Sequence, residues 1–242
     1  MAGEAGLSVT DLNAAFHHSA FLDRPWVALK LAVSADGAIA PPPGPDGRSG
    51  ARWLTGDAAR VEVHRMRADA DAIAVGIGTV LTDDPQLTVR HFTAPRLPPV
   101  RVVFDRNART PLASFLVRTA REIPTLIVVA EESLSAVSVL REHGVEVLVA
   151  RELRDALRLL RDRGIRSLLA EGGAGIAGAL LSASCVVRLL LIEAPVTLGP
   201  GALDAFSCVS SRDAALAFFE LREERRLGND VLKILAPREA DV

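Results

Sequence analysis

The stretch "LLAEGGAGIAGALL" (168–181) holds Gly173, Gly175 and Gly178 in the spacing G-x-G-x-x-G. An apolar run leads into it and a small-residue, helix-forming run leads out. Three readings compete: the pyrophosphate turn that opens a Rossmann dinucleotide domain, a different phosphate-binding turn, or a plain tight strand-to-helix connection. Glycines let backbone approach a ligand closely, and a helix N-terminus offers unpaired N–H groups with partial positive charge, so phosphate suits the spot chemically. Glu193, about 20 positions on at the end of the next apolar run, stands where a Rossmann ribose contact would lie. Position argues the other way. A Rossmann motif opens its unit, whereas about 170 residues precede this one and two strand-like runs follow it. Acidic Glu171 beside the glycines also suits a pyrophosphate poorly unless it faces another ligand.

On either side of the motif, apolar runs alternate with helix-like stretches. Strands are expected at 26–34, 71–80, 100–105, 125–130, 145–150, 167–173, 188–196 and 230–235. Helices are expected at about 55–69, 132–143, 152–163 and 175–184. Near-continuous apolar strands separated by helices imply an α/β domain whose mostly parallel central sheet is flanked by helices on both faces. "EHGVEV" and "DRGIRS" each place a glycine just past a helix, at the left-handed cap position. The Pro/Gly-rich 40–50 reads as a loop inside one domain. The domain is expected over 25–242, with 1–24 as an N-terminal extension.

Hydrophobic residues make up 49% of the 242-residue chain, enough for a sizeable core, and the formal charge of −2 recommends no nucleic-acid partner. Cys185 and Cys208 have neither disulfide-framework nor metal-ligand spacing, and no metal is expected. Without a bilayer-length apolar run or a basic, then apolar, leader, the expected location is the cytoplasm, away from membranes. Of 28 basic residues only Lys30 and Lys233 are lysines, which draws attention to Lys30.

Three further stretches carry candidate chemistry. "KLAVSADGAIA" (30–40) reads as strand, Asp-Gly turn and second extended run. In "WLTGDAARVEVHRMRADAD" (53–71), Thr55 is a candidate N-cap, and Arg60, His64 and Arg67 recur on one helical face. That face is either solvated or aimed at a substrate phosphate, which guanidinium groups bind bidentately. In "VGIGTVLTDDPQLTVR" (75–90), Asp83 and Asp84 follow a buried-looking strand, where open α/β sheets place ligands. A capped Asp-Asp-Pro turn is the plainer reading. H-x-E with P-C-x-x-C is absent, which excludes a zinc deaminase site. G-x-S-x-G and the P-loop are absent too.

Taken in order, "LKLAVSADGAIA", "GTVLTDDPQLTVR", "RVVFD" and "SLLAEGGAGIAGALL" resemble the reductase domain of the bifunctional riboflavin-biosynthesis deaminase-reductase, over residues 25–236. That resemblance implies a dihydrofolate reductase-like fold and NADPH as cofactor. The implied reaction reduces the ribosylamino group of 5-amino-6-(5-phosphoribosylamino)uracil to its ribitylamino form, here without the deaminase half. By position it implies substrate contacts at Arg67, Leu87, Arg90 and Glu171. Cofactor contacts fall on Ala32, Trp53, Thr55, Thr79, Asp83, Arg106 and the loop Gly172, Gly173, Ala174, Gly175 and Ile176. Catalytic roles fall on Lys30, Asp83 and Glu171, with Lys30 or Asp83 assisting proton transfer. Family members form dimers, and a homodimer through the apolar C-terminal strands is expected. Two positions depart from the pattern. Ala51 replaces a serine two residues before the tryptophan, and Arg106 replaces a small polar residue, where a guanidinium could meet the 2′-phosphate of NADPH. Reduction of the diamino-pyrimidinone, or of a related pyrimidine or pterin, and a silent nucleotide-binding protein stand as alternatives.

Overall fold

Most of the apolar runs become strands of one sheet. The computed structural model describes residues 22–42, 54–93, 95–133, 135–209 and 211–238. The extension up to residue 21 and most of the Pro/Gly-rich loop, with Ala51 and Trp53, lie outside the described residues. In chain order the elements are β1 (Trp26–Ser34), β2 (Ala38–Ala40), α1 (Asp57–Ala68), β3 (Ala72–Gly76), α2 (Ile77–Asp83), β4 (Val100–Phe104), α3 (Phe115–Arg118), β5 (Thr125–Val129) and α4 (Ser135–Glu142). They continue with β6 (Glu146–Val149), α5 (Leu153–Asp162), β7 (Ser167–Glu171), α6 (Ala174–Ser182), β8 (Arg188–Ala194), β9 (Leu203–Asp204), α7 (Arg212–Ala217), β10 (Phe219–Leu227) and β11 (Asp230–Pro237).

The nine-stranded sheet runs β10-β11-β8-β1-β7-β3-β4-β5-β6. Neighbours from β8 to β6 pair in parallel, and the β10–β11 hairpin adds antiparallel to β8. Side chains alternate across a strand. On β1, Val27, Leu29, Leu31 and Val33 enter the core beneath α5 and α6, while Ala28 joins Ala59, Val63 and Met66 of α1 on the other face. Lys30 shares that second face. α2, α3 and α4 pack on the same side over β3, β4 and β5. The result is the expected three-layer α/β arrangement. Gly144 and Gly164 take the expected left-handed cap conformation, at φ +88° and +84°.

Three expectations need correction. The run 71–80 is half strand: it ends at Gly76, and the backbone turns directly into α2, whose left-handed C-cap is Asp84. β10 was not expected, because "FELREERRL" shows no apolar alternation. It is the outer strand and carries mostly exposed charge, the pattern that keeps a sheet edge from recruiting another chain. The apolar C-terminal strand β11 is therefore internal, and an interface at this end would meet β10 first. Finally, Gly56, not Thr55, caps α1, and its N–H donates to Asp230 Oδ2 at 2.8 Å. A distant carboxylate takes the capping role, so the helix starts one residue later.

Packing explains two of the glycines in the motif region. A Cβ on Gly172 would lie 2.2 Å from Ile176 Cγ2, and one on Gly178 would lie 2.4 Å from Cys208 Cβ and 3.1 Å from its carbonyl oxygen. Gly178 thus lets α6 seat against the 205–209 segment. Gly178→Ala should lower stability by about 1–3 kcal/mol through overpacking. It would read as a lower urea midpoint at unchanged m-value. An unchanged midpoint would contradict the close seating.

Candidate active site

The parallel register of β1 and β7 sets Lys30 opposite Glu171. Both lie under the last turn of α1, which supplies Arg67. Its guanidinium grips the carboxylate bidentately, Nε to Oε1 at 2.5 Å and Nη2 to Oε2 at 2.8 Å, and Nη1 donates to the Thr88 carbonyl at 3.0 Å. Both side chains are largely buried, 13% and 11% exposed, so the pair is little screened by water. Burial alone would raise the Glu171 carboxyl; Arg67, with Lys30 and His64, holds it below the usual carboxylate range. Lys30 has no hydrogen-bond or ion-pair partner among the described residues. Burial lowers its ammonium pKa, Glu171 works against that, and Arg67 adds to it. A partly buried amine beside a fixed carboxylate is a proton-handling arrangement.

The turn after α2 is the second half of the site. Asp84, Leu87 and His91 all have positive φ, at 40°, 51° and 49°. Each such residue costs of order 1–3 kcal/mol and persists only where its surroundings hold it. The holds are visible: Asp84 Oδ1 accepts from the Phe115 N–H at 2.7 Å, Arg67 binds the Thr88 carbonyl, and His64 Nδ1 accepts from the Arg90 N–H at 3.0 Å. Leu87 is buried, whereas Arg90 is exposed and donates to Gln86 Oε1 at 2.5 Å. Of the helical face 60/64/67, only His64 and Arg67 reach this site. Arg60 turns back to Asp57 and to the Thr55 carbonyl at the helix start. His64 is not solvated either; it is 6% exposed.

The third group lies along the carboxyl ends of the strands. Gly173 is the N-cap of α6 and offers no side-chain cap. A Cβ at Gly175 would meet nothing within 4 Å, and one at Gly173 only Ile39 Cδ1 at 3.9 Å. The first turn of α6, Ala174 to Ile176, thus begins without a side-chain cap on its backbone N–H groups, and a helix N-terminus suits a phosphate chemically. Glu193, the would-be ribose contact, is instead engaged by Arg212 and Lys233, each at 2.6 Å. That use, and the place of the motif at the centre of this sheet, set the Rossmann reading aside.

Ala32 sits two residues past Lys30 on the same face of β1, and Thr79 lies on α2. Asp83, which ends α2, is exposed at the surface. Partial burial pushes its carboxyl upward, and it makes no hydrogen bond to Lys30 or Glu171 among the described residues. Arg106 follows β4, is exposed and donates to the Arg151 carbonyl at 3.1 Å. The structure brings Lys30, Arg67 and Glu171 together, with Arg90 at the rim, while Leu87 is buried in the apolar core beneath α2 to α4. Asp83 and Arg106 stand apart from that cluster. Sequence reading missed the Thr88 carbonyl and the acceptor role of His64, since both depend on contacts across the fold. A cavity of about 370 Å³ beside the start of α1, lined by Gly56, Pro195, Val196 and the β10–β11 turn, includes none of the core residues.

Comparison with known proteins agrees with this geometry. The RibD C-terminal domain family matches residues 25–233. A riboflavin biosynthesis protein RibD from Actinobacillus pleuropneumoniae is 38% identical over 194 residues, covering 78% of this chain and 50% of that protein. A 2,5-diamino-6-ribosylamino-4(3H)-pyrimidinone 5′-phosphate reductase from Methanothermobacter thermautotrophicus is 38% identical over 218 residues, covering 86% and 96%. The solved structure of Acinetobacter baumannii RibD superposes with a TM-score of 0.80 at 29% identity, over 95% of this chain and 63% of that one. The chain spans about half the length of the RibD proteins that it matches by sequence.

Proposed function

Because the chain belongs to the RibD C-terminal domain family, we propose that it is an NADPH-dependent reductase of a phosphorylated ribosylaminopyrimidine. In this reading the ribosylamino group of 5-amino-6-(5-phosphoribosylamino)uracil becomes ribitylamino. The observation that carries the proposal is the Lys30–Glu171–Arg67 cluster under a strained, arginine-bearing turn, beside an uncapped helix N-terminus. Residues 25–242 form the reductase domain, 1–24 an extension, and the enzyme works in the cytoplasm as a homodimer.

The residues fit a nicotinamide dinucleotide. The uncapped first turn of α6, Gly172 to Ile176, would hold its pyrophosphate, with Ala32, Trp53, Thr55, Thr79 and Asp83 along the rest of the cofactor. Arg106, an exposed side chain, would leave the Arg151 carbonyl to meet the 2′-phosphate. When bound, the cofactor supplies hydride to C1′ of the sugar. Reduction at C1′ also needs one proton, taken up by the ring oxygen as the C1′–O bond breaks, and Lys30 Nζ holds it. Each Glu171 oxygen keeps a lone pair for the substrate after binding Arg67, and Arg67 fixes the plane of that carboxylate. Leu87 lines the pyrimidine side, and Arg90, with the remaining N–H groups of Arg67, takes the phosphate.

Loss of nicotinamide absorbance on mixing NADPH with the phosphorylated pyrimidine tests the reading. Arg90→Ala should raise KM for this substrate about tenfold or more while leaving NADPH affinity within about twofold. Equal loss of both affinities would reassign Arg90, and no oxidation despite NADPH binding would leave a silent binder. The near full-length match to the archaeal reductase favours one further reading, reduction of the diamino-pyrimidinone before deamination, which the same assay distinguishes by substrate.

A further inference from the structure

The proposed reaction uses Arg67 and Arg90 but leaves unexplained why a neutral histidine is buried between them. His64 Nδ1 accepts the Arg90 N–H at 3.0 Å, and its ring meets the edge of His91 with centroids 5.3 Å apart. An acceptor nitrogen carries no proton, so the contact fixes His64 as the Nε2–H tautomer. The turn that it touches has three non-glycine residues in the left-handed region within eight positions. Such a segment relaxes unless several contacts hold it. Asp84 holds its start and Arg67 its middle; His64 holds the end that carries Arg90.

We propose that His64 is a positioning residue for phosphate recognition: through the Arg90 N–H it locks the left-handed Leu87–His91 turn and aims Arg90 at the substrate phosphate. The inference rests on the reading that Arg90 binds that phosphate. The charges around the ring support a neutral state. Arg67 comes from its own helix, Arg90 and His91 from the turn, and Glu171, already gripped by Arg67 and facing Lys30, from the sheet. Burial first, then Arg67, Arg90 and the neighbouring His91 ring, pull the imidazole down to about 4, with Glu171 opposing. A proton on Nδ1 would abolish the acceptor and add a cation beside two guanidinium groups. Grip on the phosphate should therefore weaken as pH falls toward 4.

His64→Asn and His64→Leu separate the possibilities. The asparagine Oδ1 takes the place of Nδ1 as acceptor, whereas leucine retains bulk without one. His64→Leu should raise KM for the phosphorylated pyrimidine about tenfold, with kcat within about twofold. His64→Asn should restore KM to within about threefold and remove the imidazole step from the low-pH rise in KM. Hydrogen exchange at the Arg90 amide gives a readout that does not depend on turnover: about tenfold faster in His64→Leu, near wild type in His64→Asn. Unchanged Arg90 exchange in His64→Leu overturns the proposal. So does an unchanged KM in His64→Leu when Arg90→Ala raises it, and the phosphate reading then stands. If Arg90→Ala leaves KM unchanged, the phosphate reading falls and aiming falls with it, whatever the exchange shows. Should His64→Leu not fold, a low-pH KM profile of His64→Asn identical to wild type overturns it alone.

Discussion

Glu171→Ala should cost about 3–5 kcal/mol of stability, because it leaves the Arg67 guanidinium buried without its carboxylate. For a chain of this size that is a melting temperature lower by roughly 10 °C. Activity should fall at least about a hundredfold if, as proposed, the residue opposite Lys30 also accepts from the substrate. Arg67→Ala should destabilise similarly, and the double variant should be less destabilised than the sum of the two, as expected of partners in direct contact. Additive losses would sink the pairing. The sign with pH follows from the depressed carboxyl: the pair's contribution is complete above the ordinary carboxyl value of 4.5 and is lost as acidification proceeds below it. A thermal melt series from pH 7 to pH 3, run on wild type and on Glu171→Ala, should converge toward the acid end.

Lys30→Met carries the second large effect and the opposite stability signature. Methionine matches the stem of lysine and removes an amine that has no hydrogen-bond partner among the described residues, so the melting temperature should hold or rise. Catalysis should fall about 10²–10⁴-fold in kcat, the usual worth of a positioned proton donor. Single-turnover oxidation of bound NADPH measures this without product release. Because the proposed step requires the acid form, wild-type turnover should decline as pH rises through the Lys30 value, which lies below 10.5. A Lys30→Met enzyme with wild-type kcat would move the role to Asp83, whose upward-shifted carboxyl is the next candidate.

The parallel core was legible because burial on both faces forces unbroken apolar runs, here short, rich in β-branched residues and separated by helix-like stretches. α2 was not legible. Its seven residues, "IGTVLTD", include four β-branched positions and a glycine, and backbone groups make both of its ends. β10 escaped notice because an outer strand has no core face to impose alternation. At the site, Lys30, Arg67, Arg90 and Glu171 came from a resemblance anchored in their motifs. Their mutual arrangement could not be read from the chain. The Arg67–Glu171 contact spans 104 positions and depends on the β1–β7 register and the tilt of α1. That the face of Arg60, His64 and Arg67 stayed open between solvent and substrate has the same origin: helical spacing says which residues share a side, not what packs against it.

The order of strands also dictates when, during synthesis, the site can come into being. β1 is made first, yet its two neighbours, β7 and β8, emerge from the ribosome last among the parallel strands. Until they arrive, β1 has both edges open and Lys30 faces no carboxylate. The right half of the sheet, β3 to β6, pairs internally and can assemble while translation continues, with one edge of β3 left open for β7. The Lys30–Glu171–Arg67 cluster therefore closes as a late, long-range event, when Glu171 slots between strands that have waited for it. Nascent chains halted before β7 would present β1 as an unpaired apolar ribbon and invite aggregation, which makes this strand the natural place for a chaperone to hold.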